Sequence, residues 1–200
     1  GRHMGYDVRF QGNMAMAGGG RRAWLQVLYT RPRSVADELP IAASIPWGEA
    51  DLLLAWDPLE AMHAISPHGR LQVASAQRTR IVANTGLLQD HTEEESTWDD
   101  QEELATALAN ACNTDMGMIG DFARLASWRF HNERLGDLVQ LGVAFQRGLV
   151  PLTTDAISAA VREIEEDGFA RSAEAFAFGR RLAMDSSAAR VPALEGEVED

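Results

Sequence analysis

The pattern of apolar and polar positions is most informative around residue 50. Asp51-Leu52-Leu53-Leu54-Ala55-Trp56 is a short apolar run of the kind that forms a strand buried on both faces, and Asp57-Pro58-Leu59-Glu60 reads as a helix start. Asp57 can accept from the first free amides of the helix, Pro58 suits the first helical position because it has no donor to lose, and Glu60 can reach back as in a capping box. The pattern predicts a strand running straight into a helix over Pro58 to Ile65, the step from which α/β sheets are built.

Similar reasoning carries along the chain. Tyr6 to Phe10 alternates as a strand, Gln11 to Arg22 reads as a small-residue loop, and Ala23 to Tyr29 predicts a second strand. Thr30 to Trp47 holds three prolines and little period, which suits a surface connection. Ser66 to Gly69 is a turn signal, Leu71 to Ala76 is ambiguous, and Arg80 to Asn84 (RIVAN) predicts a buried strand. Ser96 to Asp99 has capping-box form ahead of a helix over Gln101 to Cys112, and Met116 to Gly120 suits a brief strand. From Asp121 onward the pattern turns helical. One short helix holds Phe122, Leu125 and Trp128 to Phe130, and another, apolar on most sides, runs from Leu135 to Phe145 and stops at Arg147-Gly148. An amphipathic helix over Ala156 to Glu166 ends at Asp167-Gly168, and a last one covers Phe169 to Met184. The whole predicts an open, three-layer α/β fold, mostly parallel and of the doubly wound type, with a C-terminal helical region. Gly1 to Met4 reads as a cloning remnant, residues 5–184 as a single domain, and 185–200 as an acidic flexible tail.

Composition narrows the chemistry. With 200 residues and 46% hydrophobic content the chain can bury a substantial core. The net charge of −12 comes from 30 acidic against 18 basic residues, and every basic residue is arginine, which removes Schiff-base lysine chemistry and the phosphate-loop lysine. That field repels phosphate backbones and argues against a nucleic-acid partner. The single cysteine, Cys112, can form neither an internal disulfide nor a cluster site, and no apolar run approaches the roughly 20 residues that span a bilayer. A cytoplasmic setting without membrane contact is the expectation.

Few residues suggest a site. Gly18-Gly19-Gly20 followed by Arg21-Arg22 could bring backbone amides and guanidinium groups to a phosphate-bearing ligand, although a plain turn explains the run as well. Asn84-Thr85 ends a strand at the carboxyl edge of the sheet, where open α/β sheets bind ligands, and a structural cap on the next turn is the competing reading. His63, His68, His91 and His131 lack metal-ligand spacing, the acidic stretch Gln89 to Glu103 lacks a coordinating pattern, and the five tryptophans stand singly as core or interface anchors. Cys112 reads as a small core residue. No catalytic or metal-ligating constellation emerges.

Three blocks carry a resemblance: GEADLLLAWDPLEAM at 48–62, RTRIVANT at 78–85, and GVAFQRGLVPLTTDAISAAV at 142–161 with AFAFGRR at 175–181. In this order the chain resembles the gamma subunit or domain of 2-oxoacid:ferredoxin oxidoreductases, most closely the indolepyruvate branch. The likeness covers most of residues 5–184. It implies an accessory part of a thiamine-diphosphate-dependent enzyme that decarboxylates a 2-oxoacid such as indolepyruvate or another aryl pyruvate and forms an acyl-CoA. Thiamine diphosphate, magnesium and iron-sulfur clusters would then sit on other subunits or domains, with ferredoxin an indirect partner and a homodimer possible. Coenzyme A, as a substrate, would be met by Gly18, Gly19, Gly20, Arg21 and Arg22, or by Asn84 and Thr85. Two departures stand out. The family's initial strand, glycine-rich turn and helix would lie before Gly5, and its Met-Ala-Gln-Arg-Gly-Gly loop reads Met14-Ala15-Met16-Ala17-Gly18-Gly19 here. These departures suit an alternative, a noncatalytic interaction module that kept the fold and lost the activity.

Overall fold

A computed structural model describes residues 4–17, 20–31, 44–66, 72–86, 101–164 and 168–185, with backbone alone at 13–17, 20–23 and 59. The central sheet is parallel and three-stranded, built in chain order from β3 (Leu52–Ala55), β4 (Arg80–Asn84) and β5 (Asn113–Gly120). Helix α1 (Pro58–Ile65) connects β3 to β4, and α2 (Gln101–Ala111) precedes β5. Strand β4 is central and buried on both faces, which is why its sequence is an unbroken apolar run. Its side chains divide the core in two. Ile81 and Ala83 join Ala61, Leu104, Leu108 and Cys112 under α1 and α2. Val82 joins the opposite cluster, with residues from α3 (Phe122–Phe130), α4 (Gly136–Gln146) and α6 (Phe169–Met184). The outcome is a three-layer α/β fold with the crossover helices on one face and the C-terminal helices on the other.

Local chemistry explains the boundaries. Asp57 caps α1, its Oδ1 accepting from Glu60 N at 3.3 Å. The reciprocal half of the capping box does not form, because the Glu60 carboxylate turns to His63 Nδ1 at 3.3 Å. Asp121 caps α3 by accepting from Arg124 N at 2.8 Å, and His131 ends it in the left-handed conformation. A single 3-10 turn, Glu133–Leu135, leads into α4. Gly148 has a φ of +71°, the left-handed stop expected after that helix. Arg147, just past the end of α4, crosses to β5, where its guanidinium donates to the carbonyls of Met116 (3.0 Å) and Gly117. Those carbonyls are available because β5 bulges: its register against β4 shifts beyond Arg80, and Met116 has a φ of +60°. The bulge blunts one sheet edge and the four-residue length of β3 limits the other.

Helices α4 and α6 cross closely because each contributes a glycine. A Cβ on Gly142 would overlap the Phe176 carbonyl oxygen and stand 3.0 Å from Arg180 N, and one on Gly179 would overlap the Val139 carbonyl oxygen. Helix α5 (Thr154–Ile164) starts two residues earlier than expected, where Thr153 Oγ1 accepts from Ala156 N at 3.2 Å, and it buries little beyond Ile157. Gly168 stands at the start of α6.

The N-terminal part differs most from expectation. Gln11 to Arg22 is not a loop. Strands β1 (Asp7–Ala17) and β2 (Gly20–Thr30) form an antiparallel ribbon of their own, in register from Asp7 opposite Thr30 to Ala17 opposite Gly20. The small residues Gly12, Asn13, Ala15 and Ala17 hide the strand pattern, but a backbone ladder does not need β-forming side chains when its partner supplies them. The acidic stretch 89–100 with its capping box, most of the proline-containing connection, the turn at 67–69 and the tail beyond Asp185 lie outside the described residues. Trp98 falls there too. Of the other tryptophans, Trp47, Trp56 and Trp128 are exposed and Trp24 is half-buried, so none anchors the core.

Candidate functional site

The carboxyl edge of the parallel sheet is where a ligand would be sought, and Asn84 organises it. Its side chain, 4% exposed, donates through Nδ2 to Trp56 O (3.2 Å) and Gly86 O (2.7 Å). Through Oδ1 it accepts from the amides of Gly86 (3.2 Å), Phe122 (3.0 Å) and Ala123 (3.2 Å). One amide group thereby ties the end of β3, the turn after β4 and the first turn of α3. Thr85 is also buried, and its N–H donates to Gly120 O at 3.0 Å, extending the β4–β5 ladder by one step. Gly86 passes so close to Asp121 that a Cβ there would lie 2.8 Å from its Cγ. Nothing polar on Asn84 is left to meet a ligand, which gives it the role of a structural cap.

Gln140 completes the edge and was not visible as a site residue in the sequence. It is fully buried in α4, and its Nε2 donates to Ala55 O at 2.9 Å. Its Oε1 is buried without a donor among the described residues. An unmatched acceptor of this kind costs about 1–3 kcal/mol, so the position suits a hydroxyl or amide hydrogen. The available signal was a lone glutamine inside the apolar run Leu138-Val139-Gln140-Leu141.

The remaining expected residues lie elsewhere. Gly18 and Gly19 are outside the described residues. Gly20 opens β2 at the far end of the ribbon, and Arg21 and Arg22 pair through their backbones with Met16 and Ala15. The hydrogen bonds of Asn84 all run within the sheet body, so the two halves of the expected ligand site are not joined by them.

At the opposite, amino edge, the acidic residues of the Gly-Glu-Ala-Asp segment act as a clasp. Arg78 reaches Glu49 at 2.7 Å and Asp51 at 2.9 Å. Buried Thr79 donates to Ala50 O at 2.8 Å and accepts from Ser75 N, while Ser75 Oγ donates to Gly48 O at 2.8 Å. The exposed ion pairs contribute little, and the buried hydroxyl bonds set the register between β3 and β4.

Other candidates resolve as structural. Burial pushes the Cys112 thiol up to about 11, which keeps it protonated and unreactive. His63 pairs with Glu60, His131 ends α3, and His68 and His91 are outside the described residues. Among the described residues no group of three or more histidine, cysteine or acidic side chains could hold a metal ion, and no helix is long and apolar enough to cross a membrane. A concavity of about 160 Å³ between α5 and α6 is lined mainly by apolar side chains with Ser172 and Arg180. It is smaller than the roughly 300 Å³ at which small-molecule sites begin, and Arg180 is already held by Gln146 and the Phe145 ring. Compared with protein-family models and with curated proteins, the chain matches none.

Proposed function

We propose that this chain is an accessory, gamma-like domain of a thiamine-diphosphate-dependent 2-oxoacid:ferredoxin oxidoreductase of the aryl pyruvate type, with a structural rather than a catalytic part in the reaction. The observation that carries the reading is the assembly of the three resembling blocks. GEADLLLAWDPLEAM forms β3 and α1, RTRIVANT forms β4 and its cap, and the third block places Gly142 and Gly179 at the α4–α6 crossing. The distinctive residues of these blocks have packing duties: Glu49 and Asp51 hold Arg78, and Asn84 closes the sheet edge. An Asn84 amide wholly engaged in holding the carboxyl edge together supports a scaffold that positions partner domains.

In such an assembly, thiamine diphosphate and the iron-sulfur clusters would carry decarboxylation and electron transfer on other subunits or domains. The test is purification of the tagged chain from its native cells, followed by measurement of thiamine diphosphate and iron in the purified assembly. Both are expected in stoichiometric amounts. A chain that purifies free of both overturns the reading.

A further inference from the structure

Arg147 is a cation without an acid. It stands one residue past α4, and it is half-buried. Only one of its nitrogens, Nη1, is engaged, donating to the carbonyls of Met116 (3.0 Å) and Gly117. Its Nε and Nη2 have no acceptor among the described residues, and no carboxylate there lies within ion-pair distance. Arg9, Arg78 and Arg129, by contrast, each pair with an acidic side chain. Burial pulls the Arg147 guanidinium below its ordinary value, because the surrounding protein removes water from the charge and returns no counter-charge.

The free side of this guanidinium has a definite shape. Nε and Nη2 present two parallel N–H bonds, the fork that meets both oxygens of a carboxylate side-on. The fork is also held in place. Nη1 is anchored by two carbonyls that the β5 bulge turns toward it, where Met116 has a φ of +60°, so a long side chain that would otherwise sample many rotamers is already fixed. Binding then gives up little further side-chain freedom. A single fork suits a monoanion, and the net charge of −12 disfavours a phosphate dianion more than a carboxylate. Met116, whose carbonyl Arg147 holds, leaves its own side chain 56% exposed, which offers apolar contact to whatever carries the carboxylate.

We infer that the Nε–Nη2 edge of Arg147 is a carboxylate-binding site beside the β5 bulge, for a free carboxylic acid or for an acidic side chain of a partner polypeptide. The inference does not depend on the oxidoreductase reading. Titration of the nitrogen-15-labelled full chain with sodium acetate, at an ionic strength held constant with sodium chloride, tests it through the Arg147 Nε–H resonance. A saturable shift, half complete on the order of 10 mM, is expected. Arg147→Lys keeps the charge and loses the fork, and is expected to weaken acetate binding at least about tenfold, read from the backbone amides of Met116 and Gly117, while the circular dichroism of the fold is retained. The blocked peptide acetyl-Leu-Asp-Leu-amide separates the two sources: binding at least about tenfold tighter than acetate assigns the site to a partner side chain, and equal binding assigns it to a free acid. Its Leu-Asn-Leu counterpart is expected not to bind. An Arg147 resonance that does not shift saturably overturns the inference. So does a shift that sodium chloride alone reproduces, equally tight binding of inorganic phosphate, or acetate binding that Arg147→Lys leaves unweakened.

Discussion

Replacing Gly179 by alanine opposes two effects of known size. In a helix interior, alanine gains about 1 kcal/mol over glycine from backbone entropy and propensity. Against this, the new Cβ would overlap the Val139 carbonyl oxygen and stand 2.8 Å from its carbonyl carbon and 3.0 Å from its Cα. Carbon atoms in good contact are about 3.5–4.0 Å apart, so α4 and α6 must separate by roughly 1 Å. All the obstructing atoms are backbone, and no rotamer change can relieve them. A gap of that size forfeits a quarter to a half of each dispersion contact along the crossing, where Val139, Val143, Ala175, Phe178 and Leu182 are packed. Overpacking of this kind costs about 1–3 kcal/mol, at the upper end where backbone must move. The net expectation is a loss of about 1–2 kcal/mol, or roughly 2–8 °C in Tm for a domain of this size. Urea unfolding followed by circular dichroism reads it as a lower midpoint with unchanged slope. Gly142→Ala should behave similarly, and the double variant should lose less than the sum because both substitutions push the same pair of helices apart. Gly120→Ala, where a Cβ meets nothing within 4 Å, is the control. A Gly179→Ala chain as stable as the parent would refute the close crossing.

Three further outcomes follow from the same packing. Asn84→Ala leaves the buried amides of Phe122 and Ala123 without their acceptor and should cost about 2–4 kcal/mol in urea unfolding; a loss below 1 kcal/mol would show that the cap is dispensable. Cys112, with its thiol raised to about 11, should resist iodoacetamide at pH 8 until urea unfolds the chain; its contribution to stability is present below the ordinary thiol value and is lost as pH rises through about 11, and rapid labelling of folded protein would contradict this burial. Surrounding protein raises the Asp137 carboxyl from 3.8 to about 6, a contribution present below the lower value and lost as pH climbs through the higher one; the residue is exposed, so solvent screens the effect and Asp137→Asn should flatten the pH dependence of stability only slightly, a pronounced flattening arguing instead for a buried carboxyl.

The parts of the fold legible in the sequence are those where one local rule dominates. RIVAN became β4 with the expected ends because a strand buried on both faces needs only apolar continuity, and Phe169 to Met184 became α6 because its helical spacing is unbroken. The ribbon is not legible in the sequence because its pairing is set by a partner strand while its own residues are small, and Asn113 to Asp115 do not read as part of β5 because a bulge breaks the alternation. At the candidate site, Asn84 was placed correctly at a sheet end, but whether its amide would be free depended on Phe122 and Ala123, 38 and 39 residues onward. No local pattern carries that information. Gln140 gives no local signal for a related reason: its partner, Ala55 O, is 85 residues away.

The role proposed for this chain is to support a 2-oxoacid oxidoreductase without carrying its chemistry. Coenzyme A-dependent reduction of a viologen dye by an aryl pyruvate, measured with the assembly purified through this chain and with the chain alone, tests it directly. Turnover is expected from the assembly and none from the chain alone, with loss of turnover when the chain is stripped from the assembly and its return when the chain is restored. An assembly without 2-oxoacid-dependent turnover, or turnover that persists undiminished after the chain is removed, would contradict it.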